Sequence, residues 1–280
     1  MGHGFDGARQ SGGSRFSINS KKKARSSKGN FKMKKVILRL LFILTPIGSL
    51  GETHTEHSLG IAKDNKGNIV YQEKHVSEFR SQKLFQLKTD YFDPGGQEIG
   101  FIKTNFSPSG YVPSYEFRDF RSQRSVSVKP VAAHIDVTTK SSKDKKDQSM
   151  KFKMLPQMVA GQGLHQFLID HLGSFIESAQ HTETVKFFIP LNKDYYDFQI
   201  KVLNQTEQTI TLRIEADNWF FRMVAPHIDV TYDKQKARLL TYKGPSNLID
   251  KSGKKINVTI QYSYPEPHSK QKVSLKGDFS

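Results

Sequence analysis

The sequence predicts a mostly β fold: one highly curved antiparallel sheet, or half-barrel, with a single central helix packed on it. Two observations carry that prediction. Between residues 83 and 262, about ten short runs alternate apolar and polar residues at the period of a strand, with turn-forming residues between them. The only long stretch past the first 51 residues with a helical period is Gly161 to Ala179.

In that stretch Leu164, Phe167, Leu168, Leu172, Phe175, Ile176 and Ala179 share one stripe of a 3.6-residue helix. Gln166, Asp170, His171, Ser174 and Glu177 lie mainly away from it, so the helix should be half exposed and packed on a sheet. Ahead of it, Lys83 to Tyr91 and Gln97 to Phe106 flank Asp93-Pro94-Gly95-Gly96 and read as a hairpin. Tyr111 to Phe120, Arg124 to Lys129 and Val131 to Thr139 follow as strands, then an exposed loop over Ser141 to Ser149 and a short strand from Lys151 to Leu155. After the helix come Val185 to Ile189, Tyr195 to Leu203 and Gln208 to Ala216, where Ile210, Leu212, Ile214 and Ala216 all face one way. Trp219 to Val224, Ile228 to Tyr232, Arg238 to Tyr242 and a last run through Ile256 and Tyr262 complete the series. Residues 68–264 are expected to form a single domain, with 52–67 a flexible lead-in and 265–280 a loose tail.

The net charge of +16 invites a nucleic-acid reading, but it is concentrated at one end. Residues 1–51 hold eleven Lys or Arg and one Asp; the remainder has 32 basic and 26 acidic residues. No nucleic-acid partner is expected. Met33-Lys34-Lys35, the apolar run Val36 to Leu44 and the small residues up to Gly51 have the order of a secretory signal over 33–51, with cleavage after Gly51. Residues 1–32 read as a disordered upstream extension. The apolar run is shorter than the roughly 20 residues that span a bilayer, so no transmembrane segment is expected in the mature chain. The chain has no cysteine, which rules out disulfides, thiolate metal sites, thiol catalysis and acylation of a lipoprotein cysteine. Export without cysteine suits a periplasmic location.

Val131 to Thr138 (VAAHIDVT) recurs as Val224 to Thr231 (VAPHIDVT), and the two copies should form equivalent strands in the two halves of the sheet. His134 and Asp136 then share a face, as do His227 and Asp229. If the strands met, these four residues could bind a metal or act as acid and base. The plainer reading has Ile and Val packing inward while His and Asp face water or pair across strands. No nucleophile elbow, zinc-protease helix, phosphate loop or dinucleotide fingerprint occurs, so no catalytic residue and no cofactor is expected. His54 and His57 fall in the expected mobile lead-in.

Aromatic residues are abundant, and a curved sheet with a helix across its mouth could enclose a cavity lined by Phe117, Phe167, Phe175, Phe187, Tyr195, Phe198, Trp219 and Phe221. A well-packed core would use them equally well. The signal peptide, two antiparallel meanders about the helical segment Gly163 to Ala179, the run Tyr195 to Val202 (YYDFQIKV) and the closing Arg238 to Leu248 (RLLTYKGPSNL) resemble the uncharacterised periplasmic half-barrel proteins near LolA and RseB. That resemblance implies a LolA-like half-barrel that binds a lipid or another hydrophobic small molecule in envelope lipid or lipoprotein handling. Three readings follow. A hydrophobic-ligand binder requires a cavity lined by the aromatic set. A structural or envelope-assembly module, partnered by envelope proteins, requires a filled core and an exposed apolar patch or sheet edge. A metal-assisted hydrolase requires the two His-x-Asp pairs to meet.

Overall fold

The computed structural model describes residues 52–143, 145–218, 227–250 and 252–265. They form one fifteen-stranded sheet and two short helices. The first half contains β1 (Thr53–Lys63), β2 (Ile69–Arg80), β3 (Lys83–Phe92), β4 (Glu98–Asn105), β5 (Ser114–Asp119), β6 (Arg124–Val131), β7 (His134–Lys140), β8 (Gln148–Lys153) and β9 (Met158–Ala160). Helices α1 (Gly163–Asp170) and α2 (Leu172–Glu177) separate it from β10 (Thr182–Ile189), β11 (Asp194–Gln205), β12 (Thr209–Ala216), β13 (Ile228–Asp233), β14 (Leu239–Ile249) and β15 (Lys255–Ser263). The order across the sheet is β8-β7-β6-β5-β4-β3-β2-β1-β15-β14-β13-β12-β11-β10-β9. Two meanders are thus joined at their centre by β1 pairing with β15. Each step is antiparallel except β9 with β10, which is parallel because the helices form the crossover between them.

The fold is mostly β and the sheet curved and open, as the alternation predicts. Curvature brings β8 back towards the other end of the strand order. Phe152 on β8 lies 4.9 Å from Phe188 on β10, ring centre to ring centre, and the Tyr195 hydroxyl donates to the Lys153 carbonyl oxygen at 2.6 Å. The meeting is made by side chains rather than by a ladder.

The curled sheet holds two cores. One gathers Tyr71, Tyr91, Tyr115, Phe117, Val128, Ile135, Leu248 and Ile260; the other packs the helices, through Phe167, Leu168, Leu172 and Phe175, on Val185, Ile200, Ile210, Leu212 and Val230. The three residues of β9 are all buried, with Met158 and Ala160 in the first core and Val159 in the second. Side chains alternate along a strand, so β9 is a wall shared by both cores.

Three expectations need correction. The segment expected as a lead-in over 52–67 is mostly β1, paired along its whole length with β2, and His54 stacks flat on Phe79 at 4.5 Å. It escaped the sequence reading because its polarity is inverted: Leu59 and Ile61 are exposed, while Gly60 and Ala62 face inward beneath bulky neighbours. The helix is not continuous. His171 takes φ −100° and ψ 0°, stacks on Phe167 at 4.1 Å and bonds Glu183 at 3.1 Å, which divides the stretch into α1 and α2 while both keep their apolar stripe on the sheet. The expected loop over 141–149 is shorter, since β8 begins at Gln148. The strand expected over Trp219 to Val224 lies outside the described residues.

Candidate functional site

The most distinctive chemistry is buried, on the inner faces of β2 and β3. Glu73 on β2 is only 5% exposed. Its Oε2 receives His75 Nε2 at 3.0 Å and the Tyr262 hydroxyl at 3.1 Å. Room for the carboxylate comes from Gly60, directly opposite on β1, where a Cβ would lie 3.1 Å from Oε2. On the other side of the imidazole, His75 Nδ1 is 2.9 Å from Thr89 Oγ1 on β3. Thr89 Oγ1 accepts from Gln162 Nε2 at 3.1 Å, and Gln162 Oε1 accepts from Thr104 Oγ1 on β4 at 2.5 Å. Gln162 is the N-cap residue of α1, so this chain of hydrogen bonds ties the start of the helix to three strands.

For a neutral His75 the inventory of donors sets the directions. Thr104 donates to Gln162, whose amide donates to Thr89, leaving the Thr89 hydrogen for a bare Nδ1. His75 then carries its proton on Nε2 and gives it to the carboxylate. Tyrosines ring the carboxylate: burial, and then the Glu73 charge, push the Tyr71, Tyr91, Tyr242 and Tyr262 phenols above their usual range.

A hydroxyl, an imidazole and a carboxylate in series are the parts of a nucleophilic triad. Here Thr89 is 1% exposed and its oxygen already accepts from Gln162. A nucleophile needs access to substrate, so the arrangement fits a structural tie better than catalysis.

A second polar link lies one turn along α1. His165 Nδ1 is 2.8 Å from the Tyr232 hydroxyl on β13, and the two rings are nearly parallel. Burial, helped by nearby His75, lowers the His165 pKa from 6.5 to about 4. The neutral form is thus favoured on folding, and the sign follows. Stability is complete above pH 6.5, where both states are neutral, and is lost progressively as pH falls towards 4 because the unfolded chain binds the proton first. The expected loss is about 3 kcal/mol, read as a fall in the urea midpoint that His165→Gln removes.

The outer face of the sheet carries two kinds of surface. One row runs Leu59, Lys74, Asp90, Phe101, Arg118 across β1 to β5, and Ile61, Gln72, Phe92 lie beside it. Lys74 sits over the Phe92 ring at 4.4 Å, Lys103 over Phe101 at 4.8 Å, and Phe120 packs edge-on against Phe101. The result is an apolar and aromatic band studded with lysines. Alongside it, short side chains on β5, β6 and β7, namely Ser114, Ser125, Ser127 and Thr138, form the floor of a trough of about 850 Å³ walled by longer Glu78, Lys103, Arg118 and Lys129.

The candidates from sequence are dispersed. Phe117 is in the first core with Tyr195 packed against it; Phe167 and Phe175 are in the second, with Phe187 and Phe198 packed 5.9 Å apart at its edge. Trp219 and Phe221 lie outside the described residues. The described members of the proposed cavity lining therefore divide between two cores. The repeated His-x-Asp pairs form β7 and the start of β13, in different halves of the strand order. His134 and Asp136 approach to 3.4 Å beside Lys151, while Asp229 is held in a two-pronged pair by Arg213 at 2.8 and 2.9 Å with His227 at 3.6 Å. Among the described residues no group of three or more His, Asp or Glu could hold a metal ion. The Glu73 relay was missed entirely. Glu73 and His75 lie two apart on β2, a segment whose polar inward residues hid the strand itself.

No protein-family model matches the chain, and no curated protein matches it. Among solved structures, the chain is similar to a β-barrel-like protein of a domain of unknown function, DUF1849, from Brucella abortus. The TM-score is 0.36 and the identity 10%, over 78% of this chain and 99% of that one.

Proposed function

We propose that this chain is a non-catalytic interaction module of the bacterial envelope, exported to the periplasm by its leader, which holds a partner protein on the outer face of β1 to β5. One observation carries the reading. The described aromatic residues among those that could have lined a cavity are packed in or against two cores, whereas Leu59 and Ile61 stand 44% and 40% exposed on a central strand, within a band of aromatic rings and lysines. A central strand has no edge to protect, so exposed apolar residues there are surface that a partner can cover. The lysines favour a partner presenting apolar and acidic side chains together.

No helix among the described residues is long and apolar enough to cross a membrane. Lipid or other hydrophobic-ligand binding, the role implied by the resemblance to LolA and RseB, is the second reading, and the aromatic content supports it. Native mass spectrometry with lipid extraction, on the chain beginning at Glu52, separates the two. A bare protein mass and a discrete photo-crosslinked adduct in cells from a probe at Ile61, but none from a probe at Lys254, is the expected result. A stoichiometric co-purifying amphiphile moves the assignment to ligand binding. Leu59→Lys in the protein that carries the Ile61 probe should abolish the adduct while shifting stability by less than about 1 kcal/mol, since the Leu59 side chain is exposed.

A further inference from the structure

We propose that β8, which ends the strand order, is a docking edge for an extended segment of a partner protein. The segment adds to the sheet antiparallel to β8, with acidic side chains on the outer face and apolar ones on the inner face. The inference does not rest on the outer-face reading, which concerns β1 to β5.

The backbone decides which groups are on offer. In an antiparallel strand the N–H and C=O of one residue point to one side, and those of the next residue to the other. Met154 N donates to the Ala133 carbonyl oxygen at 2.9 Å, so Phe152 and Met150 turn the same way and bond to β7, opposite Ile135 and Val137. Ser149, Lys151 and Lys153 therefore turn their backbone groups away from β7. Lys153 bears this out independently, because its carbonyl oxygen is the one that accepts from Tyr195 across the seam. With that carbonyl held, the N–H and C=O of Ser149 and Lys151 and the N–H of Lys153 have no backbone partner among the described residues. This is a short ladder with one side missing.

The side chains say what would complete it. Met150 and Phe152 face inward yet are only half-buried, and Phe152, Met154, Leu155, Leu191 and Tyr195 form a partly open rim of the first core. Apolar side chains on an added strand would cover that rim. Outside, Ser149, Lys151 and Lys153 are exposed. Lys151 approaches Asp136 at 3.8 Å with its side chain still 73% exposed, and Lys153 has no carboxylate partner among the described residues. Lys193 reaches the Gln148 side chain, which brings another cation to the edge. The stretch from Lys140 to Lys153 holds six lysines and two aspartates. Lysines on an edge repel strands that carry the same charge. A second copy of β8 laid antiparallel in full overlap would set Lys151 against Lys151, and like charges directly opposite are destabilising. The same lysines attract an acidic strand, so the charge selects a partner segment that alternates acidic and apolar residues along the six residues of β8.

A blocked peptide of about seven residues, alternating glutamate and valine, is the probe, added to the chain beginning at Glu52 and read by residue-resolved amide exchange in NMR. At about 1 mM probe the Ser149 and Lys151 N–H groups are expected to exchange about tenfold more slowly, while Met150 and Phe152, already bonded to β7, change little. The same peptide with lysine for glutamate should have no effect. Lys151→Pro removes an outward N–H and leaves the β7 bonds intact, so the urea midpoint should hold and the protection of Ser149 by the probe should be lost. Lys151→Gln keeps the N–H without the charge and should weaken binding by about two- to fivefold. Should Lys151→Pro fail to fold, the probe N-methylated at its glutamates decides, because in an antiparallel pair those residues point their N–H groups at β8; it should protect nothing. Absence of slowing, uniform slowing along β8, or undiminished binding with Lys151→Pro or the methylated probe overturns the proposal. A dimer of the unmodified chain that Lys151→Pro dissolves would give the edge to a second copy and overturn it too. The crosslink at Ile61 is read on another strand, so the outer-face reading stands or falls separately.

Discussion

Gly163→Ala is expected to destabilise the protein by about 3 kcal/mol or more, although helix propensity alone favours alanine by about 1 kcal/mol. A Cβ built on Gly163 would lie 2.0 Å from the Tyr111 carbonyl oxygen, 2.6 Å from its carbon and 2.7 Å from Pro113 Cδ. The obstacle is backbone, and it is held from behind, because the Tyr111 oxygen accepts from Ala160 N at 3.0 Å. To accept a methyl group, α1 must lift from the segment between β4 and β5 or β9 must shift from its place between the two cores. Tyr111 also packs edge-on against Phe167 at 5.3 Å, so lifting the helix opens the second core. Gly173 in α2 provides the control. Nothing lies within 4 Å of a Cβ there, so Gly173→Ala should stabilise by roughly 0.5–1 kcal/mol. Urea unfolding of both variants checks the pair. A Gly163→Ala protein as stable as the parent would show that the start of α1 is free to move, contrary to the close approach to Tyr111.

What the sequence disclosed depended on where polar residues were buried. β12 was plain because Ile210, Leu212 and Ile214 all face inward against polar alternates, and the helical stripe was plain because Phe167, Leu168, Leu172 and Phe175 all reach the same core. β1 and β2 break that rule. Inside, they present Gly60, Ala62, Tyr71, Glu73 and His75; outside, β1 presents Leu59 and Ile61. A reading that equates apolar with inward sees no strand in such a pattern, and it loses the relay along with the strands that carry it. The duplicated His-x-Asp motif was legible in its plainer reading: Ile135, Val137 and Val230 pack inward, while on the other face Asp229 pairs across strands with Arg213 on β12 and Thr231 with Thr211. The length of the exposed band was also hidden, since it is assembled from cross-strand neighbours, one or two from each of five successive strands, and so forms no continuous run in the chain.

Glu73→Ala is expected to cost about 3–5 kcal/mol, against about 1–2 kcal/mol for Glu73→Gln. Alanine removes the shared acceptor of His75 Nε2 and the Tyr262 hydroxyl, both in a closed interior, and leaves a void beside Gly60. Glutamine keeps the volume and can set its one acceptor oxygen in the place of Oε2, to which both donors point, so both bonds survive but lose the strength that the charge gave them. The carboxylate also joins elements far apart in sequence: β2 carries it, β15 supplies Tyr262, and through His75 and Thr89 it reaches Gln162 at the helix. If it acts as that junction, Glu73→Ala and Tyr262→Phe should be strongly non-additive, because each removes the same bond. A double-mutant cycle by urea unfolding should return a coupling of about 1–3 kcal/mol. Additive losses, or a Glu73→Ala protein within about 1 kcal/mol of the parent, would mean that the ring of tyrosines holds the centre of the sheet without the carboxylate. Coupling of the expected size would instead place the joint between the two meanders, where β1 meets β15, under the control of one buried charge.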